Sequence, residues 1–182
     1  SGEPGAVFHY SVNGGASEAK CNDGTFTTPT TEGRHPITAY QVDIAGNKSL
    51  WANAIEIIVD TAPPAIKSIS TTAGSGSYKK DDKFTITAEF TENVTGNITV
   101  TLNTTTTAEV TFANITDSNT ATATYTTLSG HDTNALKANS VSGSITDTAG
   151  NNITTFDSGF ANFAGKDIKI DTTAPEISSF SM

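Results

Sequence analysis

The chain has little of what usually ties a protein to a particular chemistry. It holds one cysteine, Cys21, in 182 residues, so no intramolecular disulfide can form. The setting "KCNDGT" reads as a turn, and with no acid–histidine pattern nearby the thiol is expected to be buried or inert. There is one Met, one Trp and four Leu, and no long helix-forming run. No apolar stretch approaches the ~20 residues of a membrane-spanning helix, and no signal-peptide pattern is present. Basic residues are scarce: 10 Lys and Arg stand against 19 Asp and Glu, for a net charge of −9. Such a surface argues against nucleic-acid backbones and anionic membranes as partners, and against membrane insertion. It is compatible with divalent cations, which take carboxylate ligands. The sequence has no glycine-rich phosphate loop, no Ser-His-Asp set and no carboxylate pair in a plausible cleft, so it is not expected to be an enzyme. His9, His35 and His131 lack metal-ligand spacing and are expected to face solvent.

What remains is Thr, Ser, Asn and Gly around Ile, Val, Ala and Phe. Hydrophobic residues make up 35%, enough for small cores but thin for one large one. A Thr-rich, β-branched chain of this kind predicts an all-β fold.

Two phrases each occur twice, in the same order. "VDIAGN" at 42–47 is followed by "VDTAPP" at 59–64; "TDTAGN" at 146–151 is followed by "IDTTAP" at 170–175. The spacing predicts tandem units. Residues 1–61 form a first unit, 62–171 a second, and 172–182 mirror the start of the second unit as the first strand of a third. The chain is expected to be a piece of a longer protein. Pro63, Pro64 and Pro175 fix φ and bias the preceding residue to extended backbone, so the joints should be stiff.

Alternation predicts seven strands in the second unit: "AIKSIS", "KFTITAEF", "NITVTLN", "AEVTFAN", "TATATYTTL", "SVSGSIT" and "KDIKI", separated by Gly, Asn, Asp and Ser clusters. Seven short antiparallel strands in about a hundred residues predict an immunoglobulin-like sandwich. The first unit offers only "AVFHYSV", "DGTFTTP", "HPITAYQVD" and "AIEIIVD". It is expected to lack its first two strands and to leave a sheet edge open to pairing with another chain.

"EPGAVFHYSVNGG…TFTTPTTEGRHPITAYQVDIAGNKS…VDTAPP" resembles the bacterial Ig-like repeats of giant surface adhesins. "YKKDDKFTITAEFTENVTGNITVTL…ITDTAGN…IDTTAP" is similar to a longer Ig-like or cadherin-like repeat of the same kind of protein. The resemblance implies non-catalytic extender repeats of a secreted stalk at the bacterial cell surface. Its partners would be neighbouring repeats, with a host or biofilm ligand gripped by other domains. It also implies Ca²⁺ at the junctions. A glycan- or protein-binding module, or a spacer of a secreted hydrolase, are the rival expectations.

In a sandwich the incoming linker and the loops before the third and seventh strands share one pole. That places Asp60, Glu92 of "TENV" and Asp147 together. Three converging carboxylates repel one another unless a hard cation joins them, and Ca²⁺ takes 6–8 oxygens. Asp43, Asn47, Asn151 and Asp171 belong to equivalent positions and are expected to be weaker or half-sites. Alternatively Asp-x-Ala-Gly-Asn is simply a good turn: Asp43 or Asp147 accepts a backbone N–H and Gly46 or Gly150 takes φ > 0. "KKDD" at 79–82 reads as a solvated turn. The N-x-S/T sequons at Asn93, Asn97, Asn103, Asn114 and Asn152 are of the kind that arises by chance in such a composition. Tyr10, Tyr40 and Trp51 are expected to make a small aromatic patch that packs rather than binds.

Overall fold

The computed structural model describes residues 4–14, 19–21, 26–156, 163 and 165–180. The chain divides into two units, Ser1–Thr61 and Ala62–Met182, each all-β and built almost wholly from antiparallel strands.

In the first unit, β1 (Val7–Val12), β2 (Ala19–Cys21), β3 (Gly33–Val42) and β4 (Ile55–Val59) form one sheet in the order β2-β1-β3-β4. Cys21 lies in β2 and is buried, not in the turn its neighbours suggest. Asp23–Thr25 of "DGTFTTP" fall outside the described residues, and Phe26–Pro29 carry no strand. One face of the sheet is mostly apolar: cross-strand pairing sets Phe8 beside Cys21 and Gln41, Tyr10 beside Ala39, and Ile37 beside Ile55, with His35 on the same face. Among the described residues of this unit, only Cys21, Ile37 and Tyr40 are buried apolar side chains, while Ile55 is 60% exposed.

The second unit has a full core. Its strands are β5 (Ile66–Thr71), β6 (Gly76–Tyr78), β7 (Lys83–Leu102), β8 (Ala108–Thr126), β9 (Ala138–Asp147) and β10 (Ile168–Ile170). The strands read separately as "KFTITAEF" and "NITVTLN" are one strand, β7; "AEVTFAN" and "TATATYTTL" are one strand, β8. Bulges let each long strand bend without ending. On β7, Phe84, Ile86, Ala88 and Phe90 are buried, and the same phase resumes with Val94, Ile98, Val100 and Leu102. On β8, Ala108, Val110 and Phe112 are buried at even positions, then Ile115 and Tyr125 at odd ones. An extra residue between them makes the change: Ile98 faces Phe112 but Gly96 faces Ile115, and Asn114 has φ 56°. All these side chains join one hydrophobic cluster with Val141, Ile145, Ile168 and Ile170.

β8 pairs with one edge of β7 on both sides of the unpaired stretch 90–93, while the other edge changes partner. β5 pairs with it up to Phe90 and β9 from Val94 onward. β6 was not foreseen from the sequence; it pairs in parallel with β10. Residues 171–180, expected to begin a further unit, form no strand, and Ile177 and Phe180 are 89% and 86% exposed.

Candidate metal centre and the repeated turn

The Asp-x-Ala-Gly-Asn phrase folds the same way in both units, bond for bond. Asp43 follows β3. Its backbone N–H donates to Asn47 O at 3.0 Å and its carbonyl accepts from Gly46 N–H at 3.1 Å. Its carboxylate accepts from Asn47 N–H on Oδ1 and from Asn47 Nδ2 on Oδ2, both at 2.7 Å. Asp147 ends β9 and repeats every contact with Asn151 and Gly150, its two carboxylate bonds both being 2.8 Å. Gly46 and Gly150 take φ of 91° and 94°, which only glycine adopts without strain. Bridges Val42↔Lys48 and Thr146↔Asn152 close the two turns. Asn47 and Asn151 thus serve first as donors to the aspartate.

Burial is where the two turns differ. Asp147 is only 6% exposed, whereas Asp43 is half-buried. Burial pushes Asp147 up, but the donors of Asn151, Gly150 and Ala149 outweigh it and hold the carboxyl below its ordinary range. Asp43 is held low chiefly by the Asn47 side chain and then by the Asn47 backbone N–H.

Glu92 sits inside β7, not in a loop. It occupies the inward phase between buried Phe90 and Val94, within the stretch 90–93 that has no partner on β8. This is also where the opposite edge of β7 passes from β5 to β9. Thr91 N–H donates to Ala65 O and Thr91 Oγ1 accepts from Ala65 N–H, each at 3.0 Å. Asp147 is paired with Val94. A strand-phase position that would normally hold an apolar side chain therefore holds a half-buried carboxylate, two residues from the Asp147 pairing. Asp60 directly follows β4 in the first unit and is half-buried. Asp171 is exposed, and its Oδ1 accepts the Thr173 N–H at 3.2 Å.

The histidines behave differently from expectation. His35 and His131 are 5% and 7% exposed, and both are hydrogen-bonded. His35 Nε2 donates to Thr31 O at 2.6 Å. His131 Nδ1 accepts from Leu128 N–H at 3.2 Å and lies 2.9 Å from Tyr125 Oη. The adjoining Asp132 accepts both the N–H and the hydroxyl of Thr172, at 2.6 and 2.9 Å. Nothing in the sequence marked this network, because its members join only when the 127–133 loop folds over the residue after Asp171. The expected aromatic patch forms only in part: Trp51 meets Tyr40 edge-on at 4.6 Å, with His9 stacked on Tyr40 at 4.9 Å and Lys48 Nζ 3.6 Å from its ring centre, whereas Tyr10 meets Phe26 instead, at 5.6 Å.

No family model matches the sequence, and it matches no curated protein and no solved structure.

These groups set a two-stage acid response. Burial lowers the pKa of His131 from 6.5, with Asp132 partly opposing, so the neutral ring stabilises the fold above its unfolded value and that contribution fades as pH falls below about 6.5. Four carboxylates are held low: Asp43 and Asp147 as above, Glu89 by Lys67 and then Ser68, and Asp132 by the Thr172 backbone N–H. Their contribution is present above about pH 4 and disappears as pH falls through the lower folded values. Melting curves from pH 8 to 2 should show a shallow loss below about 6.5 and a steeper one below about 4. Substituting His131→Asn should remove the first stage only.

Proposed function

We propose that the chain consists of tandem immunoglobulin-like extender repeats of a secreted bacterial surface adhesin, acting as a spacer rather than a catalyst. The observation that carries this is the twin turn. Two units of one chain build Asp-x-Ala-Gly-Asn with the same bonds and the same φ, as copies of one repeat do. One strand, β4 or β10, separates each turn from an Asp-Thr-x-x-Pro phrase, and such joints suit an array whose partners are its own neighbouring repeats. The packed Tyr40, its ring taken up by His9, Trp51 and Lys48, disfavours a stacking platform for sugars.

We further assign Asp60, Glu92 and Asp147 to a Ca²⁺ ion. The donors are hard oxygens, as Ca²⁺ prefers. Asp147 keeps lone pairs after serving Asn151, since each carboxylate oxygen has about two. Glu92, on an otherwise apolar phase, gains from a cation that offsets the cost of its burial. The ion would be held by the chain's own carboxylates. Asp43, Asn47, Asn151 and Asp171 would bind weakly.

Glu92→Gln is the decisive variant, because it removes one charge without touching the turn. Titration with CaCl₂ by calorimetry should give one site in the parent, loss of it in Glu92→Gln, and retention in Asp43→Ala. At a hundredfold excess over Kd the ion should add about 2.7 kcal/mol to stability. Equal heats and equal melting for the parent and Glu92→Gln would remove calcium from this proposal.

A further inference from the structure

The end of β10 is held by a loop as well as by the core. We propose that this loop, residues 127–133, is a proton-released latch: with His131 neutral it grips Ile170 and Thr172, and protonation of the ring makes it let go. The device lies wholly within the second unit and needs neither calcium nor the adhesin assignment.

The loop is bonded at both ends of its arc. Thr127 ties it to the 79–82 turn: its hydroxyl donates to Lys79 O at 2.5 Å, its N–H donates to Asp82 O at 3.0 Å, and its carbonyl accepts from Asp81 N–H at 2.9 Å. Thr133 ties it to β10, exchanging two backbone bonds with Ile170 at 2.9 and 3.0 Å. Between these, Gly130 N–H donates to Thr172 Oγ1 at 2.9 Å, and the Asp132 carboxylate accepts both the N–H and the hydroxyl of Thr172. The Thr172 bonds thus run to residues 130–132, and they last only while the loop keeps its shape.

His131 sets that shape. Its N–H donates to Leu128 O at 3.1 Å, closing a four-residue turn in which Gly130 has φ 84°. Its Nδ1 accepts the Leu128 N–H at 3.2 Å, which requires that nitrogen to carry no hydrogen. In the imidazolium both ring nitrogens donate. Tyr125 Oη, 2.9 Å from Nδ1, can accept the new hydrogen, but the Leu128 N–H loses its acceptor and faces a donor instead. Burial adds to the penalty: the ring is stacked on Tyr125 at 5.7 Å and regains water only when the loop opens. The charged groups on the surrounding elements are Asp132 on the loop itself, Lys79, Lys80, Asp81 and Asp82 on the turn bonded to Thr127, Lys83 at the start of β7, and Lys169 and Asp171 on either side of Ile170. Of these, Asp132 is the one whose charge acts on the ring; it favours the imidazolium but does not overcome burial. The Tyr125 hydroxyl, pushed up to about 12 by burial, stays neutral throughout.

Amide hydrogen exchange of the whole chain, read by NMR from about pH 7.5 to about pH 5, tests the latch. Asp132, held low by the Thr172 N–H, stays ionised over that range, so its own titration does not contribute. The Leu128, Gly130, Ile170 and Thr172 amides should share one protection factor. It should lie well below that of Ile98 and Val100 in the β7–β9 ladder, because a local opening costs less than unfolding the unit. The shared factor should fall by up to about thirtyfold across the range, as the ring protonates more readily in the open loop than in the closed one. Low urea should change it little, since a local opening exposes little surface. In His131→Asn, whose side-chain oxygen can still accept a backbone N–H, the dependence on pH should vanish, although His9 and His35 remain to titrate. Thr172→Val leaves the ring alone and weakens the grip; it should lower Leu128 protection at about pH 7.5. Ile170 and Thr172 exchanging at the level of Ile98 would mean that the strand end opens only with the whole unit, and would overturn the latch. Loop protection that falls in acid while Ile170 and Thr172 hold would do the same, as would an unmoved Leu128 in Thr172→Val or an unchanged pH dependence in His131→Asn.

Discussion

Gly143→Ala should destabilise the second unit by about 3–5 kcal/mol, enough to unfold a marginal domain. Gly143 and Gly96 lie two rungs apart in the β7–β9 ladder, Gly143 opposite Ile98 and Gly96 opposite Ile145. Their φ values are 138° and 136°, a region that side chains other than glycine avoid. A Cβ on Gly143 would run into the backbone carbonyl of Asn97, and one on Gly96 into that of Ser144. These are main-chain atoms held by the ladder itself and cannot swing aside as a flexible side chain would. Gly150→Ala is the control. Its φ is also positive, but nothing lies within 4 Å of the added carbon, so only backbone strain of about 1–2 kcal/mol is expected. Urea melts of the three proteins check this. Equal losses for Gly143→Ala and Gly150→Ala would mean that β7 and β9 can separate to admit a methyl group.

The second large effect concerns the twin turns, which are alike in bonding and unlike in burial. Asp147→Ala should cost the second unit about 3 kcal/mol. It removes two hydrogen bonds to a charged acceptor and leaves the Asn151 N–H and amide half-buried without their partner. Asp43→Ala removes the same bonds where water can replace the acceptor, and should melt measurably closer to the parent. Asp147→Asn separates charge from shape: one amide oxygen can still accept from Asn151, so about half the loss should return. These melts are done in a chelator, so that any bound cation does not contribute. Equal destabilisation by Asp43→Ala and Asp147→Ala would show that burial of the second turn adds nothing.

Local chemistry made much of this legible. The β-branched composition announced an all-β chain, and Asp-x-Ala-Gly-Asn announced a turn because it pairs a side-chain acceptor with a residue free to take positive φ. The inward residues of β7 were readable because their phase of two survives the bend intact. What was not readable depended on register. The sequence shows Phe90 and Ile98 as members of separate runs; only the bulge at 90–93 and its unequal pairing make them one strand. The phase change on β8 turns on Asn114 at positive φ, which a stretch such as "FANITDSNT" does not distinguish from an ordinary loop. β6 was missed because three residues, "GSY", carry no period at all. His131 was misplaced because burial of a polar ring depends on partners 3 and 6 residues away, Leu128 and Tyr125, brought round by a loop.

The parallel pairing of β6 with β10 has a consequence for how the second unit bears tension. β6 lies near the unit's entry and β10 near its exit, and they run in the same direction. Gly76 N–H to Asp167 O at 2.8 Å closes one end of this ladder, and Asp171 N–H to Tyr78 O at 2.9 Å closes the other. A pull on the two ends of the unit drags these strands past each other along their length. The rungs are then loaded together in shear, instead of opening one after another like a zipper. Resistance to extension is a matter of unfolding rate, not of equilibrium stability. The short "GSY" strand, too small to matter to the core, is thus placed where it can slow rupture of the whole unit.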